Sequence, residues 1–173
     1  MGYLLKCHKK DIHKNPPHPD KDKQIKLIQA TIKDNKIKNI PTISIDTKKK
    51  ELVGQFKRSG KSYMKKGEFQ HVNEYDYSNW GLGKAVPYGI YDIFTNKGYV
   101  NVGQSANTAD LAIESIKQWW YKEGQEYYEN APILYILADA GGANSCRGRL
   151  WKYNLQQFSN EIKIPIVKVT SYD

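Results

Sequence analysis

At 173 residues, 39% hydrophobic and 12% aromatic, the chain has material for one packed domain, and its 13 tyrosines and 4 tryptophans exclude a disordered composition. No apolar run approaches the ~20 residues needed to span a bilayer, MGYLLKCHKK is too short and polar for a signal peptide, and two cysteines without a spacing motif suggest a reducing compartment, so a cytoplasmic protein with no membrane partner is expected. The net charge of +9 is uneven: residues 1–70 hold 18 Lys and Arg against 7 Asp and Glu, and residues 71–173 hold 9 against 11, which points the first half toward a polyanion, nucleic acid above all, or toward merely solvated lysines.

In chain order, residues 1–18 read as an irregular, proline-containing arm. A helix is expected from about Pro19 to Lys36, with Pro19 in its first turn and Ile25, Ile28 and Ile32 on one face. Two extended pieces follow: one rises through Ile43 and Ile45 to Asp46, the other carries Leu52, Val53 and Phe56. Residues 57–80 are basic and aperiodic and read as a long excursion. AVPYGIYDIFTNKGYVNVGQ reads as a hairpin turning around Asn96, Lys97 and Gly98. TADLAIESIKQWW reads as a helix capped by Thr108, with Asp110 in its first turn. A buried strand runs from Ile133 to Ala138, a helix from about Ser145 to Glu161 shows Trp151, Leu155, Phe158 and Ile162 on one face, and IPIVKVT forms a last strand. The order β, β, β, α, β, α, β predicts an α/β sheet that begins antiparallel and ends parallel.

Two aspartates end apolar strands: Asp46 in ISID and Asp139 in YILAD. If those strands are parallel neighbours, both carboxylates emerge one strand spacing apart, about 4.8 Å, at the carboxyl edge where α/β sheets place their sites. Mg²⁺ is the hard, oxygen-seeking cation that such a pair accommodates, and two such ions can drive phosphoryl transfer. Gly141 and Gly142 would let a phosphate approach, and Arg147 and Arg149 could meet it. Taken alone, an aspartate before glycine also fits ordinary turn chemistry.

The wording of the sequence adds a resemblance. HPDKDKQ, ISIDTKKKELVGQFK, LGKAVPYGIYD, GYVNVGQSANTADLAIESIKQWW and LADAGGANSCRGRLWK resemble, collinearly and over nearly all of residues 1–170, the catalytic core of the Rhodopirellula-type DDE transposases of bacterial insertion sequences. The resemblance implies a ribonuclease-H-like mixed five-stranded sheet of order 3-2-1-4-5 flanked by helices. It implies a basic arm and helix over residues 1–38, a catalytic core over 39–173, and DNA as partner, both transposon ends and target; homo-oligomerisation stays open. Asp46 and Asp139 fall on the first two catalytic, metal-binding acids, and Mg or Mn is the implied cofactor, a two-ion site in the family. Lys48, Lys49 and Lys50, beside the first acid, and Arg147 and Arg149 are the expected DNA contacts.

The third acid of such transposases is a glutamate on a helix after the fifth strand, and a helix-turn-helix region precedes the core. This sequence begins at MGYLL and ends at IPIVKVTSYD. The expectation is a core fragment, incomplete at the C-terminus, with metal held weakly or as a single ion and with cleavage and strand transfer impaired or lost. The alternatives are a non-catalytic DNA-binding remnant and a non-functional decayed transposase. Cys7, His8, His13 and His18 match no zinc-finger spacing, and GLGK (Gly81–Lys84) lacks the Walker pattern. Trp119, Trp120 and Trp151 are expected in the core, and Glu114 on the surface.

Overall fold

The apolar runs pair into one mixed sheet in a computed structural model that describes residues 19–57, 61, 63–74, 81–104, 108–139 and 148–170. Its long strands are β1 (Thr42–Thr47), β3 (Gly83–Asp92), β4 (Lys97–Gly103), β5 (Leu134–Ala138) and β6 (Ile166–Thr170). β4 pairs antiparallel with β3 and β3 antiparallel with β1; β1 pairs parallel with β5 and β5 parallel with β6. Counted along the chain, these five strands lie in the order 3-2-1-4-5, the ribonuclease-H-like arrangement.

The sheet has six strands rather than five. The additional one, β2 (Glu51–Val53), pairs with the first residues of β3. Thr47 lies opposite Tyr88 and Glu51 opposite Ala85, so four steps along one chain match three along the other. The surplus residue makes a bulge filled by Lys48, Lys49 and Lys50. Pro87 explains its position. Its carbonyl accepts the Lys48 N–H at 3.0 Å, but proline has no N–H to return, so the ladder loses a rung there.

Period-two alternation divides the strands between two faces. Ile43, Ile45, Tyr88, Ile90, Leu134 and Ile136 share one face and are buried under two helices. The first, α2 (Ala109–Trp119), starts as expected at Thr108, whose hydroxyl accepts the Leu111 N–H at 3.3 Å. It continues through a π-helical turn (Trp120–Gly124) into a single turn, α3 (Gln125–Tyr127). The wide turn brings two successive indoles, Trp119 and Trp120, into the core. Gly124 gives them room: a Cβ there would lie 3.0–3.2 Å from both rings.

The second helix, α4 (Arg149–Ile162), begins within the described residues later than the expected Ser145, which lies outside them. Asn154 donates to Asp110 at 2.6 Å and Lys117 to Glu161 at 2.5 Å, seven residues apart on both helices, so α2 and α4 run parallel. The β3–β4 turn falls on residues 93–96, two to three residues earlier than expected, and Lys97 and Gly98 already belong to β4. The buried Asp92 carboxylate holds it, accepting the N–H groups of Phe94 and Thr95 and the hydroxyl of Tyr128.

Helix α1 (Lys21–Ile37) lies on the other face. It starts two residues later than expected and is rotated. Ile28 and Ile32 are half-buried, but Ile25 is 41% exposed. The stripe toward the sheet runs Lys21, Gln24, Ile28, Thr31, Asn35. Asn35 turns the helix, because its buried side-chain amide donates to the Thr42 hydroxyl at 3.1 Å. Gln24 donates to the Thr170 carbonyl at 2.9 Å. Residues 63–74 carry no helix or strand beyond an isolated bridge between Phe56 and Asn73, in keeping with the expected excursion.

Candidate active site

The last rung between β1 and β5 pairs Ile45 with Ala138. Asp46 and Asp139 are each the next residue, on the same face and at the same sheet edge, one strand spacing apart, about 4.8 Å. Strand parity explains the geometry: Ile45 and Ala138 point into the core, so the residue after each points away from it. The two aspartates open into a cleft of about 400 Å³, walled by Ser44, Leu137, Val169 and Ile28 of α1. Asp46 is exposed and Asp139 half-buried. One Asp46 carboxylate oxygen accepts the backbone N–H of Thr47 at 2.7 Å, which orients the group.

Carboxylates at adjacent strand ends attract a cation between them, because it relieves their mutual repulsion. The donor set is all oxygen, and the cleft is open to solvent and has room for several waters. Those properties fit a hard divalent ion that keeps part of its hydration shell. Among the described residues, no group of three His, Cys, Asp or Glu is placed to hold a metal. Glu114 does not join the pair. It sits on the exposed side of α2, accepts the Gln118 side-chain amide and lines a groove between α2 and α4, across the sheet from the aspartates.

Lys48, Lys49 and Lys50 follow Asp46 after one residue, Thr47, and are all exposed in the bulge; Lys48 is ion-paired with Glu51. Arg149 is the first residue of α4, at the same end of the sheet because α4 leads from the β5 carboxyl edge back to the start of β6. Arg147, Gly141, Gly142, Cys7, His8, His13 and His18 lie outside the described residues. GLGK forms the bend before β3 and its first two residues. The sequence reading did not place α1 as a wall of the cleft. The available signal was polar: Gln24, Thr31 and Asn35 recur at helical spacing through the isoleucines.

The model of the Rhodopirellula transposase DDE domain matches residues 1–172. The chain belongs to that family. No curated protein sequence matches it. Among solved structures, the Mos1 strand transfer complex is similar with a TM-score of 0.55 and 14% identity, covering 100% of this chain and 48% of that one. A pre-cleavage Mos1 transpososome gives 0.52 and 16%, covering 96% and 47%. The Mos1 mariner paired-end complex with Mn gives 0.50 and 15%, covering 96% and 47%. At these identities the likeness is one of fold, and the chain spans about half the length of those Mos1 chains. No described helix of this DDE domain is long and apolar enough to cross a membrane.

Proposed function

We propose that this DDE domain takes part in metal-dependent phosphoryl transfer on DNA, with Asp46 and Asp139 holding a magnesium or manganese ion. The observation that carries the reading is their adjacency: two strand-end carboxylates, one rung past Ile45 and Ala138, opening into one cleft. When bound, the metal would activate a water or 3′-hydroxyl and neutralise charge on the phosphate. The protein's own part is to hold and orient. Thr47 fixes Asp46 through its backbone N–H, while Lys49, Lys50 and Arg149 supply cations at the same edge for flanking phosphates.

With two acids at the cleft among the described residues, one ion would be held by two carboxylates with water completing its shell. Such a two-carboxylate site would support weak cleavage and little strand transfer, and a third carboxylate at the cleft would strengthen both. The absence of a third acid at the cleft among the described residues also favours a second reading, a DNA-binding domain without catalysis. A nicking assay on supercoiled DNA with Mg²⁺ or Mn²⁺ separates the two. The first reading expects metal-dependent nicking that falls at least about 100-fold in Asp46→Asn and in Asp139→Asn, the size of loss seen when a catalytic group is removed. Equal rates in the wild type and both variants would leave only binding.

A further inference from the structure

We infer that DNA crosses the carboxyl edge of the sheet from the lysine bulge on one flank to Lys21 on the other, with Lys21 contacting a phosphate beside the aspartates. The inference rests on the reading above and adds a partner-contacting residue on α1 and the direction of the DNA path.

Two hydrogen bonds define how α1 lies. Gln24 meets Thr170, the last residue of β6, and Asn35 meets Thr42, the first residue of β1. Both β1 and β6 point toward the edge where Asp46 and Asp139 emerge, so α1 runs against them. Its first turn reaches that edge and its last turn lies at the opposite one. Ile28 lines the aspartate cleft. Lys21 stands two turns earlier on the same stripe, about 10 Å along the axis toward the carboxyl ends. It is half-buried, whereas Asp22, Lys23 and Lys26 are exposed, so its stem follows the sheet side of the helix.

Charge points the same way. Lys23 is paired with Asp20 at 3.2 Å and Lys38 with Asp34 at 2.7 Å, while Lys21 has no ion pair among the described residues. On the far flank Lys48 is taken up by Glu51, leaving Lys49 and Lys50. Among the described residues, the acid pair thus stands between lysines without an ion pair on the β3 side and on the β6 side. From β3 to β6 is three strand spacings, about 14 Å. With one phosphate per ~3.4 Å of duplex axis on each strand, that span covers about four phosphates.

Lys33 provides the control, an exposed lysine on the same helix about 18 Å further along the axis. The experiment measures binding of a fluorescent 30-base-pair duplex to the full chain in EDTA across a salt series. Lys21→Gln should weaken binding several-fold and lower the slope of log K against log salt by about 1, with Lys21→Arg restoring both. Lys33→Gln should leave both unchanged. Equal effects of Lys21→Gln and Lys33→Gln would overturn the path while leaving the proposed function standing. A wild-type chain that binds no duplex would overturn both.

Discussion

One face of the sheet presents Ile43, Ile45, Tyr88, Ile90, Leu134 and Ile136, each 2% exposed or less, under α2 and α4. The other leaves Val100 and Val102 more than half exposed and meets α1 through a stripe that contains Gln24, Thr31 and Asn35. The same strands build both faces, so propensity cannot explain the difference; the partner helices do. Burying an isoleucine or leucine fully is worth roughly 1.5–3 kcal/mol, and that gain is concentrated on the α2–α4 face. The α1 face contributes less to stability and can therefore tolerate two like charges at its edge. The comparison predicts that damage on the first face is global and damage on the second is local.

Trp119→Ala should give the largest effect. The indole is 1% exposed and packs edge-to-face on Trp120 at 6.0 Å. Its removal should cost about 3–5 kcal/mol in urea unfolding, whereas Leu27→Ala, on the exposed side of α1, should cost under about 0.5 kcal/mol. Comparable losses would erase the distinction between the faces. Tyr128→Phe comes next. It leaves the buried Asp92 carboxylate with backbone donors only, at a cost of about 1–3 kcal/mol read as a lower urea midpoint. Asn35→Ala sharpens the contrast from the other side. Losing the bond to Thr42 should cost about 1 kcal/mol and raise proteolysis within residues 21–40, with little change in cleavage of the α2–α4 half.

What the sequence allowed, and what it did not, divides along the same line. The long strands were legible because apolar runs of the right length end at turn residues, and the aspartate pair was legible because it closes two of those runs. The short β2 was legible as an extended piece through Leu52 and Val53, but its end before Phe56 and its place in the sheet were not, because both come from pairing with Gly83–Ala85. The π turn was hidden because a 3.6-residue period turns only one of two successive tryptophans toward the core, and packing of both required a wider turn. The rotation of α1 was hidden because its isoleucine spacing satisfied the rule, while one buried Asn35–Thr42 bond decided the orientation. Lys21 could not be read as part of the site because its place depends on which way α1 lies across the sheet.

The smallest effect tests how α2 and α4 are held together at the surface. Glu161 accepts from Lys117 and from the Tyr121 hydroxyl at 2.6 Å. Those two bonds hold the Glu161 carboxyl below the ordinary glutamate range, and the bond to Glu161 pushes Tyr121 up to about 12. The signs are opposite. A lowered Glu161 contributes stability above its unfolded pKa and loses it as pH falls through the folded value. A raised Tyr121 contributes below its ordinary value of about 10 and loses it as pH rises through the folded one. Both groups are exposed, so solvent screens the pair and the gain is small. The urea midpoint should therefore sag slightly at both ends of the pH range. Glu161→Gln should flatten the acid sag and return Tyr121 toward 10 in a spectrophotometric titration. An unchanged tyrosine titration would mean that Glu161 does not hold the hydroxyl in solution, leaving the Asn154–Asp110 and Lys117–Glu161 contacts and apolar packing to join the two helices.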